Sequence, residues 1–170
     1  MQNYFDTERF VLKPGTTDRL NPDLAMLQRQ LDAGGIMAAL RSLNARVGHR
    51  FTAVYKFQGE MQRAVFICDK LGQPGPCLNA IPIADSLSRF ITPTQPFGVA
   101  DSTTDGRLSE YKYRGVVASY YGVSLSQAGG KPVGSLCHFD FDVQPVPEPE
   151  ECIFMNRARS LLLTRLNGFH

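Results

Sequence analysis

Tryptophan is absent from this 170-residue chain, and cysteine is scarce: Cys68, Cys77, Cys137 and Cys152 are the four, with no C-x-x-C pair among them. Structural zinc sites draw their ligands in close pairs, so this spacing excludes the common zinc frameworks, and no metal site is expected. Neither sign of charge is in excess. Lys and Arg number 18 against 16 Asp and Glu, a net charge of +2, which leaves no electrostatic footprint for a nucleic-acid partner. The opening segment MQNYFDTERF carries two acids and no apolar stretch, unlike a secretory signal. Long hydrophobic runs are missing too, since Leu161-Leu162-Leu163 is far too short to cross a bilayer. These absences lead to the expectation of a cytoplasmic protein with reduced thiols and no membrane partner.

What is present is globular. Hydrophobic residues make up 43% and charged residues 20%, near the average of folded domains. The length suits one domain that buries about two-thirds of its unfolded surface. Residues 1–20 lack periodicity and contain Pro14-Gly15, which reads as an N-terminal arm ahead of a single domain over 21–168. Asn21-Pro22-Asp23 has the chemistry of a helix start: a capping side chain, a proline at the first helical position and an acid behind it. Leu24, Leu27 and Leu31 form a stripe that Gly34-Gly35 interrupts, and Ile36, Leu40, Leu43 and Val47 resume it with shifted phase. Two helices, or one with a bend, fit that pattern.

From Phe51 the period becomes two. Residues 51–57 read as a strand, 58–60 as a turn and 61–68 as its hairpin partner. A glycine- and proline-bearing loop over 71–76 follows, then a helix-like stretch 83–91 with Leu87, Phe90 and Ile91 on one side, and a short strand at 97–101. Residues 116–125 and 132–141 are the clearest strands, and their short glycine-bearing connector predicts an antiparallel hairpin. Pro145, Pro147 and Pro149 stop the sheet. A last helix opens with Glu148, Glu150 and Glu151 and carries Arg157, Arg159 and Arg165 later, the order the helix dipole favours. Hairpin-joined strands with helices at both ends of the chain predict an α+β fold.

Five pieces in order carry a resemblance. Phe97-Gly-Val-Ala-Asp101 followed by Thr104-Asp-Gly-Arg-Leu108, Val117-Ala-Ser-Tyr-Tyr-Gly-Val-Ser-Leu125, and Gly130-Lys-Pro-Val-Gly-Ser-Leu-Cys-His-Phe-Asp140 are similar to the late-strand motifs of GAF domains. Arg50–Tyr55 and Asp85–Phe90 resemble an earlier strand and the helix between. The likeness, over residues 23–167, is to a stand-alone bacterial GAF protein. It implies a profilin- or PAS-like antiparallel sheet of five to six strands, with the N- and C-terminal helices packed on one face. A small helix and loops would roof a pocket on the other. Such domains sense small molecules and often pair through their helices.

The candidate contacts are weighed against plain packing roles. His138, in Cys137-His138-Phe139-Asp140, titrates near neutrality and is either a ligand contact or a buried imidazole bonded within the sheet. Asp101 and Asp140 end strands, where carboxylates accept turn N–H bonds. Arg107-Leu-Ser-Glu-Tyr-Lys-Tyr-Arg114 reads as a lid: Tyr111 and Tyr113 stack on a planar ligand while Lys112 and Arg114 meet an anionic group. Tyr55, Tyr120 and Tyr121 are candidate pocket hydroxyls. The family's enzyme branch, free methionine-R-sulfoxide reductase, needs several thiols. Cys77 resembles the first, whereas Asp85–Ser88 and Glu110–Arg114 offer none for the other two. The cyclic-nucleotide signature is missing, and His138 within a strand fits neither bilin attachment nor, except weakly, haem.

The expected protein is therefore a regulatory module without catalytic residues or a named cofactor. It would bind an unidentified small organic ligand through Asp101, Tyr113, Arg114, His138, Tyr55 and Tyr121. It would form a homodimer through its terminal helices and signal to a separate output protein. Two other readings stand beside it: an interaction module whose pocket is filled by its own side chains, and a divergent reductase. A hollow of several hundred Å³ favours sensing; a roof packed solid favours the interaction module.

Overall fold

Alternation along the strands dictates a sheet with two buried faces. A computed structural model of the chain describes residues 16–73, 80–127 and 130–166. Strands β1 (Phe51–Gln58), β2 (Met61–Asp69), β3 (Ile81–Pro82), β4 (Phe97–Val99), β5 (Ser119–Ser126) and β6 (Pro132–Asp140) form one sheet in the order β3-β2-β1-β6-β5-β4. Every pairing is antiparallel. Helices α1 (Thr16–Ala45) and α2 (Pro149–Leu163) flank it in sequence. The architecture is the α+β arrangement expected, with the sheet at its upper strand number.

The β1–β2 hairpin turns on Gly59 at φ 60°, the first position of a two-residue loop, where a positive φ matches the twist of the strands. Val54, Tyr121, Val123, Leu125 and Leu136 point to one face, into a core shared with α1 and α2. Phe51, Ala53, Tyr120, Cys137 and Phe139 point to the other, where they meet Leu87, Phe97, Leu108 and Tyr111. Two 3-10 turns, Ile83–Asp85 and Leu87–Phe90, and a third at Gly106–Leu108 lie in the connections on this second side. The stretch 83–91 is thus not one helix: the chain is extended at Ser86, with φ −105° and ψ 162°.

Helix α1 differs from its expected outline. It begins at Thr16, not Asn21, and Pro22 lies inside it. Gly35, at φ 70° and ψ −166°, breaks it. The two halves fold back on one another there. The Ser42 hydroxyl bonds to the Gln30 side chain and Arg46 pairs with Asp23 at 3.0 Å, whereas a straight helix would hold the first pair about 18 Å apart along its axis. Arg46 also meets Glu151 of α2 at 2.8 Å and lies 3.8 Å over the Phe154 ring, so one guanidinium ties three helical segments together. Leu27, Leu31, Leu40, Leu43, Phe154, Ala158 and Leu162 are all buried. Most of the apolar face of α2 is thereby covered within the chain, Ile153 and Leu161 stay partly exposed, and Met26 is the large hydrophobic residue that the described helices expose.

Candidate functional site

The cavity grows out of the second face of the sheet. Tyr55 on β1, Gln62 on β2, Tyr120 on β5 and Phe139 on β6 form its floor. The 3-10 turns supply Ser86, Leu87 and Ser88, and the segment before β5 supplies Tyr111, Tyr113, Val116 and Val117 as the roof. Its volume is about 280 Å³, and it opens to solvent on one side. Val116 and Phe141, both exposed, stand at its edge. The lining is almost wholly apolar and aromatic, and no charged side chain takes part in it.

Glycine makes room for one wall. A Cβ on Gly122 would sit 2.5 Å from the Tyr120 hydroxyl and 2.8 Å from its ring carbons, a clash that only glycine avoids. The Tyr120 ring folds back along its own strand, and its hydroxyl reaches Ser88 Oγ at 3.5 Å, which meets Ser135 Oγ at 3.2 Å. Ser86 donates to the Ile83 carbonyl at 2.8 Å. Burial keeps the Tyr55 and Tyr120 phenols protonated by pushing their pKa values well above the ordinary range. Gln62 differs from these serines: it is 5% exposed, and its Oε1 has no hydrogen-bond partner among the described residues.

The six sequence candidates separate. Tyr55 and Tyr113 line the cavity. Asp101 does not: its Oδ1 accepts from the Thr103 N–H at 2.9 Å and the Thr103 hydroxyl at 2.6 Å, bonds that hold its carboxyl below the usual carboxylate range. Arg114 also turns away, donating to the carbonyls of Ser102 (3.1 Å) and Thr103. Together they clamp the turn behind the roof. Lys112 pairs with Asp85 at 3.2 Å. The lid is therefore half as expected, with the aromatic rings inward and the cations engaged elsewhere.

His138 and Tyr121 belong to the opposite face. His138 is fully buried beneath the helices, with Nδ1 2.7 Å from Thr52 Oγ1. The Thr52 hydroxyl receives the Asn44 amide at 2.9 Å, which leaves its hydrogen to donate to the ring. Burial, then the neighbouring His49 and Lys70, pushes His138 down to about 3. The His49 ring is 6.0 Å away, stacked and likewise buried, and desolvation lowers it to about 4 against the pull of Asp140. Tyr121, 1% exposed, packs in the helix-side core. The physical reason is strand parity: Tyr121 shares its face with Val123 and Leu125, and His138 with Leu136.

Gln62, Leu87 and Phe139 are among the lining residues that the sequence candidates do not include. Phe139 alternates with Cys137 toward the aromatic side, a usable signal; Gln62 in a solvent-like stretch carried none. Cys77 lies outside the described residues. Cys137 is buried in the cavity-side core, its thiol pushed up to about 12 by desolvation, and it is not part of the lining. Among the described residues no group of His, Cys, Asp and Glu could hold a metal ion, and no helix is long and apolar enough to cross a membrane.

Solved structures superpose on this fold. The chromophore-binding domain of an unusual bacteriophytochrome from R. palustris superposes with a TM-score of 0.67 at 10% identity, over 93% of this chain and 63% of that one. The GAF domain of a phosphoenolpyruvate-protein phosphotransferase from Coxiella burnetii gives 0.67 at 12% identity, covering 86% and 92% of the two chains. Free methionine-R-sulfoxide reductase from Neisseria meningitidis, solved in complex with its substrate, gives 0.62 at 11% identity over 92% and 93%. No protein-family sequence model and no curated protein sequence matches the chain. The fold is that of a GAF domain. At these identities the likeness is one of fold, and the chain spans about 63% of the phytochrome domain it superposes on.

Proposed function

We propose that this protein is a ligand-sensing GAF domain that binds a small organic molecule between the sheet and its roof. The observation that carries the reading is the apolar hollow of about 280 Å³. Protein interiors are otherwise close-packed, and a concave, mostly apolar site with a few placed polar groups is the usual form of a small-molecule pocket. An interaction module with a self-filled pocket would have the Tyr55, Tyr111, Tyr113 and Tyr120 rings packed into that space, and they line it instead.

Signalling follows if the ligand distinguishes two arrangements of the roof or helices, since equal affinity for both shifts nothing. The output passes to a separate cytoplasmic protein, and pairing of two copies uses the helices, where Met26 and the partly exposed Ile153 and Leu161 are available. The segments that resemble the reductase's other two cysteine-bearing regions carry Ser86, Ser88, Tyr111 and Tyr113 toward the cavity, hydroxyls that cannot replace a thiolate in attack on a sulfoxide. Native mass spectrometry of freshly purified protein tests the reading, with a co-purified mass of a few hundred daltons or less expected. Absence of any bound mass, joined to no stabilisation by a panel of small molecules, contradicts it. Methionine-sulfoxide turnover that disappears in Cys77→Ser would favour the reductase.

A further inference from the structure

Resting on the sensing role just proposed, the geometry points to a narrower ligand class: a neutral, planar aromatic molecule of one or two rings bearing a hydroxyl or N–H that donates to Gln62 Oε1. Size comes first. An apolar cavity of roughly 150 Å³ accommodates benzene, so about 280 Å³ suits two fused rings held between sheet and roof. Shape and surface come next. Four tyrosines and two phenylalanines surround the space, offering ring faces and edges for offset and edge-to-face contact with a flat guest.

Charge decides the class. No cation faces the cavity to meet a carboxylate or phosphate: Arg114 is held by Ser102 and Thr103, and Lys112 by Asp85. A quaternary ammonium is disfavoured as well. No carboxylate lines the space, and Lys112 already lies 5.6 Å over the Tyr113 ring. A carboxylate or phosphate moved into such a site loses its hydration without compensation, and a cation gains ring faces but no countercharge.

The remaining polar feature is Gln62. On the cavity face Gln62 opposes Phe57, and Tyr55 opposes Ala64, so Gln62 and Tyr55 are diagonal neighbours across β1 and β2. A buried amide oxygen without a partner is costly, and a donor on the guest would supply one. A ligand hydroxyl or N–H directed at β2 satisfies Oε1 and fixes the orientation of its rings.

The test uses titration calorimetry of the full chain, which reads the binding of each probe directly and needs no fluorophore. The probes are 2-naphthol, naphthalene, 2-naphthoate and phenyltrimethylammonium. The expected result is that 2-naphthol binds about tenfold tighter than naphthalene, the effect of one satisfied hydrogen bond. 2-Naphthoate binds roughly a hundredfold more weakly than 2-naphthol, and the ammonium probe, which gains ring faces, binds more weakly than 2-naphthol by a smaller factor. In Gln62→Leu the ratio of 2-naphthol to naphthalene affinity falls to about one, and a thermal midpoint no lower than that of the wild type shows that the fold is intact.

Preferred binding of 2-naphthoate or of the ammonium probe overturns the neutral class and leaves the sensing role standing. Equal affinity for 2-naphthol and naphthalene in the wild type overturns the role of Gln62. Silence from all four probes overturns the inference. If the enlarged-cavity variant Leu87→Ala is silent too and native mass spectrometry finds nothing bound, the sensing role falls with it.

Discussion

The two faces of one sheet have opposite characters. Beneath the helices, Val54, Leu125 and Leu136 meet α1 and α2 in a core whose members are mostly under 2% exposed. Beneath the roof, neighbours on the same strands line a hollow of about 280 Å³. Adjacent residues are assigned to different tasks: Tyr121 packs under the helices, while Tyr120 forms a cavity wall. Strand alternation permits this division, because successive side chains leave the backbone in opposite directions. One face supplies stability; the other tolerates a void because the first is well filled.

Acidification separates the faces most. His49 and His138 both lie on or beside the helix-side face, neutral when folded, with values lowered from 6.5 to about 4 and about 3. Once unfolded, both rings take up protons near pH 6.5. The unfolded chain therefore binds more protons below that pH. Stability is fully present above pH 6.5 and falls as pH drops toward 4, by up to about 1.4 kcal/mol per pH unit for each ring. Denaturant unfolding at pH 7 and pH 4.5 measures the slope, and His49→Phe should reduce it by one proton. A pH-independent midpoint would show that the rings are not buried as described.

Truncation comes next in size. Leu136→Ala, on the helix side, should cost about 2–5 kcal/mol, read as a lower denaturant midpoint. On the cavity side the matched change Leu87→Ala has a void beside it and should cost distinctly less. Equal losses would break the contrast between the faces. Gly122→Ala sharpens it, since the new Cβ strikes the Tyr120 ring. The expected cost is about 1–3 kcal/mol, together with altered probe binding, because the displaced ring belongs to the wall. Smallest is Tyr113→Ala: removing a half-buried roof ring should change stability by less than about 1 kcal/mol and yet weaken 2-naphthol binding several-fold.

Much of this division was readable from residue order. Alternation from Phe51 and the hairpin signals located β1, β2, β5 and β6 to within a few positions. Strand β3 was not seen, because two residues, Ile81 and Pro82, are too few to show a period. The helix-like 83–91 became two 3-10 turns, since apolar spacing cannot distinguish a continuous helix from turns separated by an extended serine. Gly34-Gly35 announced a break but not its sharpness, which long-range pairs such as Asp23–Arg46 determine.

The site was read less well, for a specific reason. Periodicity tells which residues share a face and leaves open which face carries the roof. Tyr121 and His138 share their parity with Val123, Leu125 and Leu136, which form the aliphatic surface that helices cover. Tyr120 alternates with Gly122 and Ser124, small residues that leave room for a ring, and this was the available clue. Asp101 and Arg114 attract notice by their charge, whereas here that charge is held by Thr103 and by the carbonyls of Ser102 and Thr103. Gln62 gained meaning only from three-dimensional surroundings that leave its oxygen unpaired.

The most direct measurement is a methyl- and amide-resolved NMR titration of the full chain with 2-naphthol. The predicted result is a set of saturable shifts at Ile81, Leu87, Val116 and Val117, with Leu136 and Leu162 unmoved. Shifts confined to the helix-side residues, or none at saturating probe, would contradict a binding cavity beneath the roof.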